Sequence, residues 1–122
     1  MKEVLNFING EFVATGKTFP KHSPLNNAVI AQVHEASRAQ VNDAVAAAKA
    51  ALKGPWGKMT VADRVQMLYA VADEINRRFD DFLQAEVADT GKPVSLASHL
   101  DIPRGAANFK VFADTIKNVP TE

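Results

Sequence analysis

Asn9-Gly10 stands between two short runs rich in strand-forming residues, Phe7-Ile8 and Glu11-Phe12-Val13. A two-residue connection between strands calls for positive φ at both central positions, and asparagine and glycine both accept it. The dipeptide therefore specifies a hairpin with a type I′ turn. The expected strands cover about residues 4 to 8 and 11 to 14. Thr18-Phe19-Pro20-Lys21-His22-Ser23-Pro24 is extended but carries two prolines, so it pairs along a sheet edge or not at all. Asn26-Asn27 turns the chain, and Val29-Ile30-Ala31-Gln32-Val33-His34-Glu35 alternates with β-branched residues as a further strand. The first third of the chain is thus expected to be a small strand layer.

The remainder is patterned for helices. Ser37-Arg38-Ala39-Gln40 is a capping box, and Val41, Ala44, Val45, Ala48 and Leu52 follow at helical spacing until Gly54-Pro55. Trp56 comes after that break, either as a buried anchor under the loop or as an interface residue. Thr60 with Asp63 opens a second helix, whose apolar stripe runs Val61, Val65, Leu68, Ala72, Ile75, Phe79. Arg77-Arg78 lie where cations complement a helix C-terminus. Phe82, Leu83 and Val87 continue as an extension or a separate helix, and Gly91 and Pro93 stop it.

From about Val94 to Asn118 the pattern is helical with two apolar stripes. Leu96, Leu100, Ala107 and Val111 form one; Ile102, Gly105, Phe109, Phe112 and Ile116 form the other. A helix apolar on two sides is expected to be buried between neighbours. Pro103 either opens a second helix in its first turn or kinks a continuous one. Val119-Pro120-Thr121-Glu122 trails out without a cap.

Bulk composition narrows the chemistry. In 122 residues, fourteen basic side chains balance fourteen acidic ones, so no net field gathers nucleic acid or an anionic membrane. No apolar run approaches the ~20 residues of a membrane span, and a cytoplasmic protein is the default expectation. The length suits one domain or one piece of a larger one. There is no cysteine, hence no thiolate nucleophile and no disulfide within these residues. His22, His34 and His99 are scattered and share no metal-ligand spacing with one another or with a cysteine, so no metal site is expected. Glycine-rich dinucleotide fingerprints and phosphate loops are absent.

Two features remain. Asp89-Thr90-Gly91-Lys92-Pro93 reads first as capping chemistry. Asp101, Arg104 and Asn108 step by three and four, one polar track on a helix otherwise expected to be buried. Arg104 then either pairs with Asp101 or faces a cavity and clamps a carboxylate with its bidentate fork.

Taken in order, Phe7 to Phe12, Thr18 to Pro24, Val29 to Val33, Val41 to Ala51, Trp56, Arg64 and Glu86 to Pro93 resemble the N-terminal segment of the NAD(P)-dependent aldehyde dehydrogenase superfamily. Gly54 to Thr60 and Leu96 to Asp114 are most similar to the branch that acts on 2-hydroxymuconic semialdehyde in aromatic meta-cleavage catabolism, with the 2-aminomuconic relatives close by. The resemblance implies an α/β fold. To it residues 1–122 would contribute an N-terminal β-hairpin and short strands followed by about four α-helices.

It also implies a reaction in which a cysteine thiolate attacks the aldehyde, hydride passes to NAD, and a glutamate activates water. No position here matches those catalytic groups or the cofactor-binding strand-helix unit. Catalytic and cofactor-binding residues are therefore expected outside these 122 residues, in a longer, homo-oligomeric parent enzyme. The alternative is a stand-alone, non-catalytic module that associates with a full-length dehydrogenase. By position, the resemblance assigns the helix at residues 96 to 117 to the substrate entrance. It assigns Arg104 to binding a carboxylated semialdehyde, with Asn108 one turn further along the same wall.

Overall fold

The computed structural model describes residues 1–120. They form two compact units, residues 1–58 and the residues from Met59 onward.

In the first unit the Asn9-Gly10 turn has φ of 52° and 82°, as a type I′ hairpin requires. It joins two of the first three strands, β1 (Lys2–Val4), β2 (Asn6–Ile8) and β3 (Glu11–Val13). The hairpin is β2 with β3, in register Asn6 to Val13, Phe7 to Phe12 and Ile8 to Glu11. Phe7 and Phe12 meet across it with ring centroids 5.1 Å apart. The stretch read as one first strand is two, because β1 leaves the hairpin and joins β4 (Thr18–His22) and β5 (Val29–His34). That second sheet has the order β1-β5-β4, with β1 parallel and β4 antiparallel to β5. The Pro20 strand thus takes an edge, where its missing N–H costs no ladder bond. Asn27, at φ 61°, makes the turn between β4 and β5; Asn26 Oδ1 accepts from the Ala28 amide at 3.1 Å.

Helix α1 (Arg38–Ala51) begins at the expected capping box, with the Gln40 amide donating to Ser37 Oγ at 3.2 Å and the Ser37 amide donating to Gln40 Oε1 at 3.0 Å. A single further turn, α2 (Pro55–Lys58), follows. Trp56 within it is 41% exposed rather than a buried anchor. The turn is too short and too close to the end of α1 to cover an indole, and Gly57 lies against the Leu52 carbonyl.

In the second unit, Thr60 and Asp63 form a reciprocal cap at the start of α3 (Val61–Arg77). The chain breaks at Arg78, φ −102° and ψ 28°, so Phe79 opens the separate helix α4 (Phe79–Thr90) instead of ending the α3 stripe. Arg77 closes α3 by forking onto Glu74, Nε to Oε2 at 2.7 Å and Nη2 to Oε1 at 2.6 Å. Gly91 ends α4 in the left-handed conformation, φ 70°.

The last helical stretch is continuous. One turn, α5 (Val94–Leu96), runs into a π-turn (Ala97–Asp101) and then into α6 (Ile102–Lys117). In the π-turn the Ile102 amide bonds Ala97 O, five residues back. Pro103, with no N–H and a ring that crowds the preceding turn, sits in the first turn of α6. Both expectations for Pro103 are therefore met in part: the helix is not interrupted, but its winding changes just before the proline.

α3 packs on α6. The buried residues are Val65 and Ala72 from α3 and Ala97, Ile102, Ala106 and Ala113 from the last stretch. The expectation of burial on two sides is not met in this unit. Small alanines bring the helices together, whereas Leu96, Leu100, Phe109, Val111, Phe112 and Ile116 remain exposed, Phe112 by 67%. Tyr69 on α3 donates to Asp114 Oδ1 on α6 and ties the far end of the pair. Thr121 and Glu122, half of the expected tail, lie outside the described residues.

Candidate functional site

The polar track of α6 is set by what happens at the end of α4. The left-handed Gly91 donates its amide to Val87 O at 2.9 Å and reverses the chain, and Pro93 starts the next helical turn. Between them Lys92 is carried across to the π-turn. Its Nζ donates to Asp101 Oδ2 at 2.9 Å and lies 3.5 Å from Glu86 Oε1. All three side chains are partly covered. The hydrogen bond to Asp101 is the largest cause holding the Lys92 ammonium above the usual lysine range; partial burial opposes it, and the charges of Asp101 and Glu86 add to it.

Asp101 is thereby engaged away from Arg104, and the internal Asp101–Arg104 pair left open by the sequence does not form. Arg104 is exposed, not enclosed in a buried helix: the buried line of α6 is Ile102, Ala106 and Ala113, and Arg104 lies off it. Its guanidinium makes no hydrogen bond or ion pair with any described residue. Asn108, four residues on and so on the same face, is also exposed. The arrangement offers an unpaired fork of donors beside an amide, suited to a planar anion such as a carboxylate.

Lys92 is the residue that sequence reasoning passed over, because Gly91-Lys92-Pro93 is fully accounted for by helix capping until α4 and the π-turn are placed side by side. The carboxylate that meets His34 is likewise distant in sequence. Pairing of β1 with β5 brings Glu3 to it, Nε2 to Oε2 at 2.6 Å, while the Thr15 amide donates to Nδ1 at 2.8 Å. With Nδ1 accepting, Nε2 carries the hydrogen, and the imidazole has both nitrogens occupied by protein.

The family model of the aldehyde dehydrogenase family matches residues 12–122. The chain belongs to the aldehyde dehydrogenase family. It is 66% identical over its whole length to 2-hydroxymuconic semialdehyde dehydrogenase of Pseudomonas sp. (strain CF600) and covers 26% of that protein. It is 49% identical to 2-aminomuconic 6-semialdehyde dehydrogenase of Pseudomonas sp., again over the whole chain and 25% of the relative. The chain thus spans about a quarter of the length of these curated relatives. Among solved structures, the NAD+ complex of aldehyde dehydrogenase from Bacillus cereus superposes with a TM-score of 0.93 at 36% identity, over 99% of this chain and 25% of that one.

The strands and helices described above are accordingly the N-terminal part of the aldehyde dehydrogenase fold. In this part, β5 passes to α1 through Glu35-Ala36-Ser37 with no glycine. That junction lacks the glycine-rich turn by which a strand-helix unit receives a pyrophosphate, so it does not fit a dinucleotide. Among the described residues no helix is long and apolar enough to cross a membrane.

Proposed function

We propose that this chain is the N-terminal part of an NAD-dependent dehydrogenase that oxidises 2-hydroxymuconic semialdehyde to the dicarboxylate. In that enzyme α6 lines the substrate entrance, and Arg104 binds the carboxylate the substrate already carries. The observation that carries the reading is the 66% identity, end to end, to a 2-hydroxymuconic semialdehyde dehydrogenase. The unpaired, exposed state of Arg104 supports its role, with Asn108 beside it as a second donor. A fixed guanidinium orients the substrate so that its aldehyde end is presented to the reacting groups, which is an effect on positioning rather than on bond-making. NAD binding and the chemical step belong to parts of the dehydrogenase outside these residues.

Two experiments test this. Reading the coding DNA beyond Glu122 should give an open frame that reaches a glycine-rich strand-helix unit and a cysteine. A stop codon there, beside a separate complete enzyme, favours the stand-alone module instead. In the complete dehydrogenase, Arg104→Ala should lower kcat/KM for the carboxylated semialdehyde by about tenfold or more, the scale of a hydrogen bond to a charged group, and leave an uncharged aldehyde nearly unaffected. Equal losses on both substrates would remove Arg104 from the site.

A further inference from the structure

Asp101 and Arg104 are three residues apart on one continuous helical stretch, a spacing at which an aspartate and an arginine ordinarily meet. In this structure they do not, because Lys92 reaches Asp101 first, with Nζ 2.9 Å from Oδ2. Lys92 is itself steadied from the other side by Glu86, at 3.5 Å. Its backbone is fixed by the Gly91 reversal and by its amide donating to Thr90 Oγ1 at 3.3 Å. Three charged groups from the end of α4 and from the π-turn thus form a closed chain, Glu86, Lys92, Asp101, and Arg104 is left out of it.

The consequence is electrostatic. A carboxylate three residues from a guanidinium competes with any anionic ligand for the same N–H donors, and a carboxylate already neutralised by an ammonium competes far less. From this geometry we propose that Lys92 is a positioning residue for substrate recognition: it holds Asp101 so that the Arg104 fork stays available to a substrate carboxylate. This rests on the reading of Arg104 as the carboxylate-binding residue. Lys92 touches no substrate in this account; it acts through Asp101.

The test is a set of variants in the complete dehydrogenase, assayed with the carboxylated semialdehyde and with an uncharged aldehyde. Lys92→Met should release Asp101 to Arg104 and raise KM for the carboxylated substrate by about two- to fivefold, the scale of a partly exposed ion pair. Its kcat, and both parameters for the uncharged aldehyde, should be unchanged. Adding Asp101→Asn to Lys92→Met removes the competing carboxylate and should return KM to the wild-type value. In an Arg104→Ala background, Lys92→Met should produce no further change in KM. That combination separates competition at Arg104 from a general loss of positive charge, which would act with or without the arginine.

The proposal is overturned by any of four results: no change on Lys92→Met, equal losses on both aldehydes, no recovery with Asp101→Asn, or the same KM increase without Arg104. Arg104→Ala alone reports on the underlying reading. A selective loss there with a silent Lys92→Met removes this inference and leaves the carboxylate role standing.

Discussion

Val65→Ala should loosen the α3 and α6 pair far more than the same truncation at an exposed position of α3. Val65 is 1% exposed, where α3 packs on α6, and its neighbours in that layer are mostly alanines with no side chain long enough to swing into a gap. Two methyl groups at ~0.8 kcal/mol each give ~1.6 kcal/mol of lost transfer free energy, and a residual cavity of ~40 Å³ at ~24 cal/mol per Å³ adds ~1 kcal/mol. The total of ~2.5 kcal/mol corresponds to a roughly 50- to 100-fold loss of protection for amides that exchange through opening of this helix pair. Native-state hydrogen exchange of α3 and α6 peptides reads this locally, whatever the length of the surrounding protein. Val71→Ala is the control: same helix, same chemistry, but 39% exposed. If the two variants exchange within about threefold of one another, the alanine-rich seam is not the core of this unit.

The Arg104 and Lys92 variants above supply two further expectations. Tyr69 has a raised pKa, chiefly from the hydrogen bond to Asp114 and then from burial and that residue's charge, and its ring resonances, assigned by their loss in Tyr69→Phe, report its titration. The folded state holds this proton more tightly than the unfolded one, so the stabilisation is present below the ordinary tyrosine value of ~10 and is lost as pH rises through the raised folded value. Asp114→Asn should bring the midpoint down towards the ordinary value, and a wild-type midpoint at or below that value would contradict the contact. At Gly57 an added Cβ would lie 1.7 Å from the Leu52 carbonyl oxygen, whereas at Gly16 it would meet nothing within 4 Å. Gly57→Ala should therefore cost ~1–3 kcal/mol or more in a denaturation followed by the adjacent Trp56, with Gly16→Ala close to neutral, and similar midpoints for the two would refute the close approach.

What could be read from the sequence was local. The Asn9-Gly10 turn, the Ser37 and Thr60 caps and the Gly91 stop are each decided within about four residues, by φ preference or by a side chain within reach of its own backbone. The edge position of Pro20 followed from one missing donor. What escaped was set by partners distant in sequence. Lys92 meets Asp101 only after α4 has turned back, Glu3 meets His34 across 31 residues, and alanines rather than the larger apolar residues seat α6 on α3. The site shows the same division: spacing placed Arg104 and Asn108 on one face, but which cation would claim Asp101 was a question of tertiary packing.

The π-turn bears on how the last helical stretch is to be read. The buried positions run Ala97, Ile102, Ala106, Ala113, in steps of five, four and seven, and the first step is a full turn of five-residue reach rather than the ~3.6 of an α-helix. The turn therefore acts as a phase shifter. Side chains before it are rotated out of register with those after it, so one helical wheel cannot be drawn through Leu96 to Ile116, although the exposed apolar residues Val111 and Phe112 belong to α6 itself, beyond the turn. Deleting a single residue from Ala97 to Asp101 would reset that phase by about 100° and carry Asp101 and Lys92 out of alignment while α6 kept its own seat. The charge pairing beside Arg104 thus depends on the length of one turn as much as on the residues in it.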